Sequence, residues 1–213
     1  MEKSDVQKAL AEVSKQPKKK FVQSYDLIIN LRNINIKQQN VEFFVTLHYG
    51  TGKKVKVCAF VDNQLFDQAS KCCDKVIRDT EFSLYQQDKK LAKKLAQEYN
   101  YFIAQSTLMA KVAGAFGKAL GTRGKMPNPK LGCVVPPNAN IEALVKKLKV
   151  TVQMSAKKGL NLQASIGKEN QKEEEIVDNI MTTYQTTIKQ LPNEAQNIKN
   201  VLLKPTMGKP VRV

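Results

Sequence analysis

The sequence predicts an α+β fold carrying an inserted α/β domain, two domains within 213 residues. Three observations predict it. Each end of the chain carries strand patterns with a helix, yet neither end makes a complete domain alone. The middle changes rhythm to short apolar strands alternating with helices, which argues for a parallel, Rossmann-like three-layer arrangement. The changes fall near the glycine-containing stretch His48-Tyr49-Gly50-Thr51-Gly52-Lys53, read as a hinge, and again near Thr151. The economical solution is a β-α-β type domain split between residues 1–53 and 152–213, with residues 54–151 inserted.

The elements follow in order. Ser4-Asp5-Val6-Gln7 has the spacing of a capping box with Ser4 at the cap. Val6, Ala9, Leu10 and Val13 then share one helical face until Pro17. After the basic run Lys18-Lys19-Lys20, a strand from Ser24 to Leu31 alternates Tyr25, Leu27, Ile29 and Leu31 on one face. A polar turn around Lys37-Gln38-Gln39-Asn40 leads to a second strand, Val41 to Leu47. The inserted part reads as a strand at 55–61, a helix at 64–73 and a brief strand at Val76-Ile77. A basic helix from Asp88 to Tyr99 buries Leu91 and Leu95 and keeps Lys89, Lys90, Lys93 and Lys94 outside. A strand at 101–105 and a helix from Thr107 to about Phe116 follow, then a Gly-, Pro- and Lys-rich stretch from Gly114 to Pro137. Asn140 caps a helix at 141–148. Strands at 150–154 and 160–166 flank the basic turn Lys157-Lys158-Gly159. A long helix beginning near Glu173 places acids at its N-terminus and a stripe of Ile176, Ile180, Tyr184 and Ile188 inward. The last strand is 198–203.

Charge narrows the function. The chain has 35 Lys and Arg against 19 acids, a net charge of +16. A field this large draws polyanions, nucleic acid first and an anionic membrane surface second. Lys outnumbers Arg 31 to 4, which favours neutralising phosphates over reading guanine edges in a duplex. Without Trp, an extended aromatic stacking platform is not expected. Cys58, Cys72, Cys73 and Cys133 have no paired C-x-x-C spacing, and His48 is the single histidine, so no metal site is expected. The first residues lack the apolar core of a signal peptide and no run is long enough to span a bilayer; a cytosolic protein with reduced thiols is expected.

Catalysis finds little support. Gly52-Lys53, Gly117-Lys118 and Gly124-Lys125 lack both the upstream glycine and the following Ser or Thr of a phosphate loop. No G-x-G-x-x-G follows the insert's first strand. The expectation is a protein that is not an enzyme and uses no cofactor. The most informative segment is the ending, Val201-Leu202-Leu203 running into Lys204-Pro205-Thr206-Met207-Gly208-Lys209-Pro210. A strand feeding a Thr-Met-Gly turn bracketed by prolines offers backbone N–H groups, a hydroxyl and a polarisable side chain to a polyanion.

Four blocks together resemble one family. Ala119-Leu120-Gly121-Thr122-Arg123-Gly124-Lys125-Met126-Pro127-Asn128-Pro129-Lys130 is similar to the signature loop of the large-subunit ribosomal protein L-one family, the protein of the mobile lateral stalk. Lys20-Phe21-Val22-Gln23-Ser24 leading into Asp26-Leu27-Ile28-Ile29-Asn30-Leu31 is similar to the family's first strand entry. Pro136-Pro137-Asn138-Ala139-Asn140-Ile141 resembles the archaeal form, and Thr206-Met207-Gly208-Lys209-Pro210 the eukaryotic form of the terminal motif. The resemblance runs in order through almost the whole chain.

It implies a split domain that binds ribosomal RNA and an inserted domain joined by two hinges. By position, Lys20, Phe21 and Ser24 match one contact cluster, and Thr206, Met207 and Gly208, with Lys209 beside them, match another. Asn200 stands where the family usually has Ser, and Lys157 and Lys158 match a neighbouring contact loop of different length. By chemistry the lysines neutralise phosphates, and Ser24, Asn200 and Thr206 hydrogen-bond 2′-hydroxyls or phosphates. Gly208 admits close backbone approach, while Phe21 and Met207 divide between core packing and contact. His48-Tyr49-Gly50 and Pro205 depart from the family pattern. The implied role is a cytoplasmic constituent of the large ribosomal subunit, monomeric within the ribosome and not membrane-bound. It would bind stalk ribosomal RNA and transiently meet exit-site transfer RNA as deacylated transfer RNA is released. Many members also bind their own messenger. The rival readings are an extra-ribosomal RNA-binding regulator or RNA chaperone, and a nucleotide-dependent enzyme.

Overall fold

The computed structural model describes residues 1–17, 19–35, 41–156 and 159–213. These form two compact units, one of Met1–Lys53 with Val150–Val213 and one of Lys54–Lys149.

The first unit is mixed α/β around an antiparallel sheet. Strand β1, Ser24–Leu31, lies between β8, Asn161–Lys168, and β9, Ile198–Pro205, with β10, Val211–Arg212, on the outer edge of β9. A separate antiparallel pair joins β2, Glu42–Thr46, to β7, Thr151–Ser155. Helices α1, Lys3–Ser14, and α7, Glu173–Gln190, pack on each other; α1 also meets β9 and α7 meets β8. The alternation read along β1 holds, for Tyr25, Leu27, Ile29 and Leu31 are all buried. They join Val6, Leu10, Leu162, Ile176, Ile180 and Leu203 in one core. That leaves Ser24, Asp26, Ile28 and Asn30 on the other face of the sheet.

Two readings within this unit need correction. The cap of α1 is Glu2, not Ser4: the helix starts two residues earlier, and the Asp5 carboxylate accepts from the Glu2 N–H at 2.9 Å. The buried stripe of α7 is Ile176, Ile180, Thr183 and Thr187, with Tyr184 and Ile188 only half-buried. A strict four-residue spacing drifts about 40° per step around a helix of 3.6 residues per turn, so residues three apart must enter the stripe. The buried threonines satisfy their hydroxyls on the carbonyls of Asn179 and Thr183, each at 2.7 Å. The stretch around Gly50 is also well tethered. Asn179 donates to the carbonyls of Tyr49 and Ile166 and accepts from the Tyr49 N–H, while Gln171 donates to the Gly50 carbonyl at 2.7 Å.

The second unit is a parallel sheet of order β4-β3-β5-β6. Its strands are β3, Val57–Val61, β4, Lys75–Arg78, β5, Tyr101–Gln105, and β6, Val134–Val135. Its helices are α2, Asn63–Cys72, α3, Phe82–Gln87, α4, Lys89–Glu98, α5, Met109–Gly121, and α6, Ile141–Lys149. All five residues of β3 are buried, as a central parallel strand covered on both faces requires. Asn140 does cap α6, accepting from the Ala143 N–H at 3.3 Å. The two-residue β6 and short α3 carry too little periodicity to be read from sequence. In α4 the buried face is Ala92, Leu95 and Ala96; Leu91 is 47% exposed, contrary to the sequence reading. Small alanines let α4 sit close, which turns Leu91 outward. Leu91→Ser is therefore expected to change unfolding free energy by no more than about 0.5 kcal/mol, measured by urea denaturation.

Candidate functional site

The two ends of the chain meet at one end of the first unit's sheet. Antiparallel pairing of β1 with β9 sets Tyr25 opposite Pro205 and Asp26 opposite Lys204, so Ser24 and Thr206 stand side by side as the strands end. Thr206 then ties the two ends together. Its N–H donates to the Ser24 carbonyl at 3.0 Å. Its hydroxyl lies 3.2 Å from both the Ser24 N–H and the Ser24 carbonyl, accepting from one and donating to the other.

The rest of the turn is held by two glutamines. Gln23, only 5% exposed, accepts from the Met207 N–H at 3.0 Å through Oε1. Gln16, beyond the C-terminal end of α1, grips the Lys209 backbone twice: Oε1 accepts its N–H at 2.8 Å and Nε2 donates to its carbonyl at 2.9 Å. The Gly208 N–H closes the turn on the Pro205 carbonyl at 3.1 Å. All four N–H groups from Thr206 to Lys209 are thus used internally. The expectation that this turn offers its backbone N–H groups to a ligand is corrected: it presents side chains.

Those side chains point outward. Phe21 is 51% and Met207 64% exposed, so neither serves the core. Lys20 and Lys209 are exposed as well, and Lys19 adds a further cation. Large apolar groups left in water beside cations on a rigid frame suit a ligand with both flat faces and negative charge. Asn200 stands apart. It lies on β9 six residues before Thr206, about 20 Å along the strand. There its Oδ1 accepts from Asn30 Nδ2 at 2.6 Å across the open face of the sheet. Lys157 and Lys158 lie outside the described residues.

Sequence reasoning missed Gln16 and Gln23. Gln23 follows the exposed pair Phe21-Val22, and only burial reveals that it points inward. Gln16 acts across 193 residues of chain, a pairing no local pattern announces.

In the second unit the sheet order reverses at the C-terminal ends of β3 and β5, the place where doubly wound folds bind nucleotides. Here Gln105 is buried and its Oε1 accepts from the Asp62 N–H at 3.0 Å. Asp62 caps α2, so a carboxylate occupies the helix N-terminus that a phosphate would need. Three of the four thiols are poor nucleophiles: burial pushes Cys73 up to about 12 and Cys133 up to about 11, and raises Cys58 too.

Known proteins agree over almost the whole length. A model described as the ribosomal protein L1p/L10e family matches residues 10–209. The large ribosomal subunit protein uL1 of Nanoarchaeum equitans is 40% identical over 200 residues, 92% of this chain and 93% of that protein. That of Thermoplasma acidophilum is 32% identical over 213 residues, 99% and 96% of the two chains. That of Methanocella arvoryzae is 37% identical over 211 residues, 98% and 95%. With residues 10–209 matched by the family model and more than nine-tenths of the chain covered by each of these archaeal relatives, the chain belongs to the ribosomal protein L1p/L10e family.

Proposed function

We propose that this protein is a structural constituent of the large ribosomal subunit in the cytoplasm, and that the unit built from both chain ends is its RNA-binding domain. Members of its family are ribosomal structural proteins rather than enzymes. The observation that carries the reading is the convergence of residues 20–24 with residues 206–209 at one end of the sheet, with Phe21 and Met207 outward and lysines around them. Its RNA is the ribosomal RNA of the mobile lateral stalk, and its work there includes transient contact with the exit-site transfer RNA as that RNA is released.

The roles follow from the geometry. Lys20 and Lys209 neutralise phosphates, and Phe21 and Met207 lie against bases or riboses. Ser24 and Thr206 act first on each other, so Thr206 sets the turn rather than spending its hydroxyl on RNA. Asn200, a strand's length away, marks a second contact on the open face of the sheet. The inserted unit contributes its charge to transient contacts.

Sedimentation tests the assignment. The protein is expected to travel with large subunits through moderate salt; a chain found free of subunits and bound to messenger supports the regulator instead. Affinity for deproteinised large-subunit RNA, measured by filter binding, tests the surface. Met207→Ala and Phe21→Ala are each expected to cost about 1–3 kcal/mol. Lys20→Ala should weaken binding evenly and reduce the salt slope by about 1. Full affinity in the Met207 variant would place the RNA elsewhere.

A further inference from the structure

A groove of about 680 Å³ lies beside the C-terminal turn, with Glu12, Gln16, Pro17, Lys19, Met207 and Lys209 among its walls. Its volume is that of a small-molecule site. Three kinds of wall meet in it. Met207, Pro17 and Pro210 supply apolar surface. Lys19 and Lys209 supply positive charge, and neither enters an ion pair among the described residues. Glu12 is the single acid, one helical turn before Gln16 and without an ion-pair partner among the described residues.

The amide of Gln16 is fully committed to the Lys209 backbone. Glu12 therefore remains as the hydrogen-bond acceptor side chain of this groove. A bare carboxylate opposes phosphate, so a groove built for phosphate alone would not carry one. A whole nucleotide resolves the conflict, with its phosphate on the lysines, its base on the apolar walls and its donors toward the acid. Among the bases, guanine presents two adjacent N–H donors, N1 and the N2 amino group, which match the two oxygens of a carboxylate. Adenine and cytosine set one amino group beside a ring acceptor, and uracil flanks its single N–H with two carbonyls. In a duplex the guanine edge is taken by its pairing partner, so the base must be unpaired.

We propose that this groove holds one unpaired guanosine of the bound RNA, read by Glu12 and anchored through its phosphate by Lys19 and Lys209. The proposal rests on the reading that the Thr206–Lys209 turn binds RNA. It adds base selection to a surface otherwise built for backbone and shape. Gln16 is the positioning residue that fixes one wall of the groove against α1.

Selection from hairpins with a randomised loop, using the full chain, provides the test. The wild type is expected to enrich loops with an unpaired guanine at one fixed position, and Glu12→Ala to enrich loops without that requirement. In an enriched hairpin, inosine at that position removes the N2 amino group. It should cost the wild type about tenfold in affinity and Glu12→Ala less than about twofold. Lys19→Ala should lose affinity for both hairpins alike, with the salt slope reduced by about 1. Glu12 is exposed, so its replacement leaves the fold intact, which circular dichroism checks. An equal inosine penalty in wild type and Glu12→Ala overturns the guanine assignment while leaving the turn as the RNA contact. Enriched hairpins whose binding ignores Met207→Ala, or no enrichment by the wild type, overturn the proposal together with the reading beneath it.

Discussion

Gly208→Val is expected to reduce affinity for deproteinised large-subunit RNA about a hundredfold, near 3 kcal/mol, the largest loss from any single change at the turn. The reason is space, not backbone freedom, because Gly208 is not among the glycines of positive φ. A side chain there would overlap the Pro205 ring and the Gln16 amide oxygen. Neither neighbour yields cheaply. Pro205 is buried and paired across the sheet with Tyr25, and Gln16 holds the Lys209 backbone at both ends of its amide. The turn itself must shift, taking Thr206, Met207 and Lys209 with it. Gly117→Ala is the matching control, since a methyl at that position in α5 meets nothing within 4 Å. It should leave RNA affinity unchanged and stability unchanged or slightly raised. Binding by Gly208→Val within about threefold of wild type would show that the turn's conformation does not matter to the RNA.

What could be read in the sequence, and what could not, divides along a physical line. Where one face is buried and the other wet, periodicity is written into the chain. Ser24–Leu31 could be read to its ends, and the apolar face of α1 residue by residue. Where an element is too short to complete a period, as in β6, β10 and α3, nothing announces it. Leu91 shows a subtler loss: its apolarity marks a helix face, but the close approach allowed by Ala92 and Ala96 decides which face is covered. The site divides in the same way. The exposed cations and the Thr-Met-Gly turn stand out as types of residue in a row, whereas residue type alone leaves Phe21 and Met207 divided between core and contact, and only their exposure puts them outside. Gln16 and Gln23 are ordinary polar residues whose importance lies in partners 193 and 184 residues away. The lysine surplus is spread over both units, so charge foretells a polyanion without saying where it sits.

Phe60→Ala separates stability from the proposed binding function, and its effect on folding should be the largest of any single truncation considered. Phe60 is fully buried in β3, stacked on Phe102 with centroids 5.7 Å apart and in contact with Phe82 and Phe116 at 5.7 and 4.7 Å. Phe82 and Phe116 pack edge-on against each other, so the cavity left by alanine would be walled by rings that cannot all move inward. Such truncations cost about 3–5 kcal/mol, a large share of a domain's net stability. This core and the core beneath β1, β8 and β9 have no member in common. Chemical denaturation of Phe60→Ala, followed by residue-specific amide exchange, should therefore show lost protection in β3, β5, α4 and α5 and retained protection in β1, β8 and β9. Affinity for large-subunit RNA should stay within about threefold of wild type. If affinity instead falls in step with the loss of protection, the RNA depends on the inserted unit, and the assignment of binding to the chain ends fails. If the first unit loses protection as well, the two units unfold as one, and the RNA result must be measured under conditions where Phe60→Ala is fully folded before it can tell contact from stability.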